Sequence, residues 1–277
     1  MRVLAINDIS CIGKCSLTAT LPILSACGIE CTVLPTAVLS THTGGFTGYT
    51  FRDCTKDIPA ILRHWKTLGV QFDFICSGYL GSIELIEMVA NIKAEFLAEG
   101  GKFIVDPVMG DSGNLYAGFT DEYVEKMRSL CRLADYILPN VTEACYLTAL
   151  PYPLRKTDAE KAVKALQQLC PRPIVTGIVD KESVTVAFAD ETGNLCTYAH
   201  ENVEGFFCGA GDVFASAFTG CLARGKSEKD AIALASDFAA ACIRRSAKEV
   251  PDKRFGLPFE KEIFSFLENL RATPSIR

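Results

Sequence analysis

The strongest constraint on how this chain of 277 residues can fold is an alternation along it. Short apolar runs rich in β-branched residues, "RVLAI", "CTVLPT", "FDFICSG", "KFIVDP", "DYILPN" and "PIVTGI", are separated by longer segments of helical period. Those segments are read as helices over 16–27, 55–68, 83–98, 119–133 and 157–169. Runs of that length suit buried strands and the intervening segments suit crossover helices, so the pattern predicts βαβ units around a mainly parallel sheet. "SVTVAFADETGNLCTYAH" departs from it. Two strand-like runs flank Glu191-Thr192-Gly193-Asn194, a hairpin signal that predicts antiparallel strands at one edge. Helical segments over 209–223, 228–245 and 258–270 close the chain. No linker, repeat or low-complexity stretch interrupts this order, so the expected architecture is a three-layer α/β/α fold forming one domain over 1–277.

Composition excludes several functions. The chain is 49% hydrophobic and 22% charged, ordinary for a globular protein with a full core. Its formal net charge is -5, with Lys and Arg scattered, so no nucleic-acid partner is expected. No window offers about 18 uninterrupted apolar residues, and the N-terminus has no signal-peptide pattern, so no membrane partner and a cytoplasmic location are expected. The 13 cysteines include no C-x-x-C pair and read as small buried hydrophobes in a reducing compartment. The three histidines, His42, His64 and His200, are too scattered for a zinc site.

In open α/β sheets ligands bind beyond the carboxyl ends of the strands, where this sequence is repeatedly polar. Gly209-Ala210-Gly211-Asp212 opens a helix, whose first amides lack partners and favour an anion. Asp212 is read either as a helix N-cap or as a base that takes a proton from an alcohol beside a phosphoryl donor. "DPVMGD" supplies Asp106 and Asp111, and "PNVTE" supplies Asn140 and Glu143. Asn140 and Glu143 stand three apart, a spacing that suits a capping box as well as a shared face toward a magnesium ion. "STHTGG" and "SGYLGS" put His42, Thr43 and Tyr79 where they could line a pocket for a flat polar ring, or serve as turn residues. Cys208 is read as a reactive thiol near a helix N-terminus or as inert packing.

Taken in order and spacing, "STHTGGFTG", "SGYLGS", "DPVMGD", "PNVTE" and "GAGD" resemble the pyridoxal kinases of the ribokinase-like superfamily over nearly the whole chain. The resemblance implies a ribokinase-like kinase that passes the γ-phosphoryl group of ATP, with Mg2+, to the 5'-hydroxymethyl of pyridoxal, pyridoxine or pyridoxamine. By it Asp212 is the base, and the amides of Gly209, Ala210, Gly211 and Asp212 form the anion hole. Asp106 and Glu143 would support magnesium, with Asn140, Thr176 and Gly211 near the nucleotide. Asp8, Ser10, His42, Thr43 and Tyr79, with Asp212, would face the acceptor. A homodimer, and a monovalent cation as a further cofactor, are implied in the same way.

Two departures matter. Many family members read Gly-Thr-Gly-Asp where this chain has Ala210, a change that keeps the backbone N–H and loses a hydroxyl. "AINDISCIG", residues 5–13, carries Asp8 where pyridoxal kinases carry Gln-Ser-His, and in this it is similar to hydroxymethylpyrimidine kinases. The competing readings are therefore a hydroxymethylpyrimidine kinase and a non-catalytic pyridoxal-binding protein. A nicotinamide-dependent dehydrogenase is disfavoured, because no G-x-G-x-x-G follows the first strand.

Overall fold

The computed structural model describes residues 1–275. The first half of the chain forms β1 (Arg2–Ile12), α1 (Ser16–Ala26), β2 (Glu30–Thr41), β3 (Phe51–Asp53), α2 (Ile58–Leu68), β4 (Phe72–Ser77), α3 (Ile83–Phe96), β5 (Leu97–Val105), β6 (Gly110–Asp111) and β7 (Asn114–Leu115). There follow α4 (Asp121–Cys131), β8 (Tyr136–Ile137), α5 (Val141–Thr148), α6 (Ala159–Leu166), β9 (Arg172–Val179), β10 (Ser183–Ala189), β11 (Leu195–Glu201), α7 (Ala210–Ala223), α8 (Glu228–Glu249) and α9 (Ile263–Ala272). Contacts divide these elements between two compact units, each made of non-contiguous chain.

One unit takes Met1–Cys76, Ala98–Gly101 and the chain from Val203 onward. Its strands lie in the order β4-β1-β2-β3. β1 is buried from Val3 through Asp8, as expected of a strand covered on both faces. It pairs in parallel with β2 and does not stop after "RVLAI": hydrogen bonding to β2 carries it through "NDISCI" to Ile12. The register slips between Asn7 and Ile9, where β2 holds one residue more, so Asp8 lies at an irregularity inside the strand. β2 likewise runs beyond "CTVLPT" to Thr41, which makes Ser40 and Thr41 strand residues. β3, absent from the sequence reading, is an exposed three-residue edge antiparallel to β2. Helices α1, α7 and α8 carry the core, and α1 and α7 meet closely: a Cβ on Gly220 would stand 2.8 Å from Cys27 Sγ.

The second unit takes Ser77–Leu97 and Lys102–Asn202. Here β5 pairs in parallel with β8, and β8 with β9. β10 then runs antiparallel to both β9 and β11, which is the expected hairpin edge. In β11 exposed and half-buried residues alternate strictly, whereas β10 has a buried centre, the contrast between an edge strand and its neighbour. The helix ends have local causes. Ser82 and Thr120 accept N–H bonds from Leu85 and Tyr123, so α3 and α4 begin one residue later.

Candidate active site

In the first unit a network of hydrogen bonds surrounds two carboxylates. α7 is capped by Gly209, whose φ of 80° is left-handed, and Asp212 is the third residue of the helix. Asp212 is thus not the N-cap, one of the two readings its sequence allows. Its half-buried carboxylate accepts from Asn7 Nδ2 at 3.3 Å and from the Ser16 backbone N–H. Burial, reinforced by the nearby charge of Asp8, pushes its pKa up to about 6. Asp8 is 5% exposed and accepts the Ser16 hydroxyl at 2.6 Å and the Ser10 hydroxyl at 2.9 Å. Burial raises its pKa, and those two hydroxyls oppose the rise.

The "STHTGG" loop of this unit is fastened rather than loose. His42 Nε2 donates to the Arg254 carbonyl at 2.6 Å, and the Gly44 N–H donates to Nδ1 at 3.0 Å. A carbonyl can only accept and an amide only donate, so the ring is the neutral Nε2–H tautomer with both nitrogens in use. The Arg254 guanidinium lies 4.9 Å over the Phe46 ring and donates to the Gly45 carbonyl. His42 is thus held at both ring nitrogens, while Thr43 is exposed on the same loop. Cys208 is buried, its thiol directed at the Gly44 carbonyl at 3.8 Å, as packing requires.

In the second unit Asn140 and Glu143 form the capping box that their spacing allows. The Asn140 side chain accepts the Glu143 N–H, and Glu143 accepts the Asn140 N–H at 2.9 Å. The other oxygen of Glu143 accepts the Met109 N–H at 3.2 Å, and Asn140 Nδ2 reaches the Gly110 carbonyl at 2.9 Å. The residue is 2% exposed, and burial together with the charge of Asp106 holds its pKa well above the ordinary carboxylate value. Thr176 bridges to Asn140, donating its N–H to Pro139. Tyr79 stacks on Phe119, which stacks on Tyr123. Two carboxylates in close electrostatic contact suit a hard divalent cation, with water and phosphate oxygens completing its shell. Among the described residues no group of three or more His, Cys, Asp or Glu is placed to hold a metal ion.

Sequence reasoning did not single out Ser16, Asn7 or Arg254 as site residues. Asn7 stood beside Asp8 in plain view. Ser16 and Arg254 act through backbone geometry and a long-range contact that leave no local signal.

The family model described as phosphomethylpyrimidine kinase matches residues 17–254. The chain belongs to the phosphomethylpyrimidine kinase family. Among solved structures this family member is similar to the pyridoxal kinase of Lactobacillus plantarum, at 31% identity over 99% of each chain and a TM-score of 0.90. It is also similar to a Bacteroides thetaiotaomicron protein crystallised with pyridoxal, at 35% identity over 100% of this chain and 96% of that one, with a TM-score of 0.90. The pyridoxine kinase of Bacillus subtilis is 29% identical over 65% of this chain and 67% of its own length. The first curated relatives are matched over 47% to 68% of their lengths. With the strand order and antiparallel edge above, these likenesses give the phosphomethylpyrimidine kinase relative the α/β/α ribokinase-like fold.

Proposed function

We propose that this chain phosphorylates the 5'-hydroxymethyl group of a B6 vitamer at the expense of ATP, a salvage reaction. The observation that carries the reading is Asp212, a half-buried carboxylate in the first turn of α7 whose pKa of about 6 suits a base at neutral pH. Asp212 takes the proton of the acceptor alcohol as its oxygen attacks the γ-phosphorus. The Ala210 N–H makes only a 3.4 Å contact to Phe207, and the amides of Gly211 and Asp212 follow in a turn where a helix supplies no carbonyl partner. These amides receive charge on the transferring group. Asn7 and the Ser16 N–H hold the base in line. The pyridoxal bound in the Bacteroides structure supports a pyridine acceptor.

Asp106 and Glu143 would hold magnesium, whose chemistry is neutralisation of the triphosphate charge. Asn140 and Thr176 would stand near the nucleotide, and His42, Thr43 and Tyr79 near the acceptor ring. Replacing Asp106 or Glu143 by Ala is expected to raise the magnesium concentration for half-maximal rate severalfold. Unchanged titrations in both variants would leave Glu143 as a helix cap alone. The same reading takes residues 1–277 as one kinase domain, since the likeness to the Lactobacillus enzyme covers 99% of the chain. It extends, on the resemblance, to a homodimer acting in the cytoplasm. No helix among the described residues is long and apolar enough to cross a membrane.

A coupled ADP-release assay with pyridoxal, pyridoxine, pyridoxamine and hydroxymethylpyrimidine tests the function. Turnover of at least one B6 vitamer above hydroxymethylpyrimidine is expected. The reverse order would favour the reaction in the family model's description, and no ADP release would favour a binding protein. Asp8 is proposed to face the cationic aminomethyl group of pyridoxamine, which pyridoxal lacks. Asp8→Asn should then lower the ratio of kcat/KM for pyridoxamine over pyridoxal by about tenfold, equivalent to about 1.4 kcal/mol. An unchanged ratio would confine Asp8 to its hydrogen bonds with Ser10 and Ser16.

A further inference from the structure

The first residue of α1 holds a backbone conformation that its side chain disfavours. Ser16 has φ of 50°, one of only three positive values at non-glycine positions among the described residues. Such strain persists where the surroundings enforce it, often at functional sites. Glycine would adopt this φ freely, so what serine adds is its hydroxyl. That hydroxyl donates to Asp8 Oδ1 at 2.6 Å, while the N–H of the same residue bonds the carboxylate of Asp212. Asn7 closes the circuit: its Nδ2 reaches Asp212 at 3.3 Å, and its Oδ1 accepts the Asp8 N–H at 3.0 Å. One strained residue thus touches both carboxylates through two different donors.

We propose that Ser16 is a positioning residue that sets how negative charge is divided between Asp8 and Asp212, and so sets the strength of the base. The proposal rests on the reading of Asp212 as that base. A donated hydroxyl favours the ionised form of the carboxylate that accepts it. With the Ser16 hydroxyl in place Asp8 stays ionised more readily, and its charge helps to keep the proton on Asp212. Without it Asp8 takes up a proton at higher pH and Asp212 releases its own at lower pH.

The groups around the pair do not replace this control. The Ser10 hydroxyl is bonded to the other oxygen of Asp8. Burial pushes the Cys15 thiol far up, which keeps it neutral. His42 lowers the pKa of Asp8 only when its ring is charged, and its two bonds hold it neutral; Lys14 and Arg254 are paired with Glu260 and Asp252.

Two variants of the full chain separate hydroxyl from backbone. S16G relieves the strained φ and keeps the N–H to Asp212, whereas S16A keeps the strain; both lose the hydroxyl. Side-chain carboxyl 13C NMR reads the two titrations, with Asp212→Asn and Asp8→Asn assigning the signals. In both variants the Asp8 midpoint should rise and the Asp212 midpoint should fall, each by about half a pH unit, or threefold in proton affinity. S16G should melt above S16A, whose strain it relieves, and the two should share the same midpoints, so a folding defect cannot mimic the result. Unchanged midpoints, or midpoints that move in the same direction, would overturn the proposal. The titration needs no turnover. A parent that phosphorylates no vitamer would sink the kinase reading and still leave the Ser16 question decided by the NMR result.

Discussion

Asp212→Asn is expected to fold as the parent does and to lose turnover by about 10²- to 10⁴-fold, the usual cost of removing a general base. The amide keeps the shape of the side chain and an oxygen to accept from Asn7 and the Ser16 N–H, but it cannot take a proton. The parent's kcat/KM should climb with pH to a plateau above about 6, where Asp212 is ionised. Stability should run the other way. Burial lifts the native carboxyl to about 6 from the ordinary 3.8, so between these limits the native state holds a proton that the unfolded chain releases. Stability is therefore lost as pH rises through that window, and the loss persists above it. Asparagine has no such penalty, so the variant should unfold at or above the parent temperature at pH 7 or higher. A kcat within threefold of the parent, measured by ADP release at pH 7.5, would remove Asp212 from the mechanism.

Gly209→Ala is the second large effect. At φ of 80° a Cβ would stand 2.3 Å from the Lys14 carbonyl oxygen and 3.3 Å from its carbon, and neither is a side chain that could swing away. The turn between Phe207 and Ala210 must move, and the first amides of α7 move with it. Loss of one well-placed donor to a transition-state anion costs about 10²- to 10³-fold in kcat, and that is the decrease expected here. Gly69 provides the control. It caps α2 with φ of 62° and has nothing within 4 Å of an added Cβ. Gly69→Ala carries similar backbone strain without the clash and should cost about 1 kcal/mol of stability with kcat unchanged. Equal kcat values for the two variants would show that the α7 turn can yield without harm.

Much of this was legible in the chain because periodicity reports burial. The alternation located each major strand and helix, and the Thr192-Gly193 turn announced the antiparallel edge. Element ends were harder. "NDISCI" looks like a loop after "RVLAI", and only pairing with β2 makes it strand. β3 and the β6–β7 pair are too short to carry a period, and α5, of eight residues, shows itself mainly by its cap. The division into two units rests on long-range contacts that no local pattern encodes. At the site, "GAGD" was readable because a helix start beside small residues has a fixed chemistry. His42 and the Asn140–Glu143 pair each allowed two readings, and the choice lay in where ring nitrogens and carboxylate oxygens find partners. Ser16 gave no signal, since serine ordinarily avoids the φ it adopts here.

The capping box of α5 also bears on how a descendant of this chain would decay. Glu143 closes the start of a helix and binds the Met109 amide, so a lineage that abandoned catalysis would still be held to glutamate there by the need to fold. The persistence of Glu143 in a relative would then not by itself testify to a working enzyme. A survey that counted Glu143 alone as a mark of activity could not tell scaffold from chemistry.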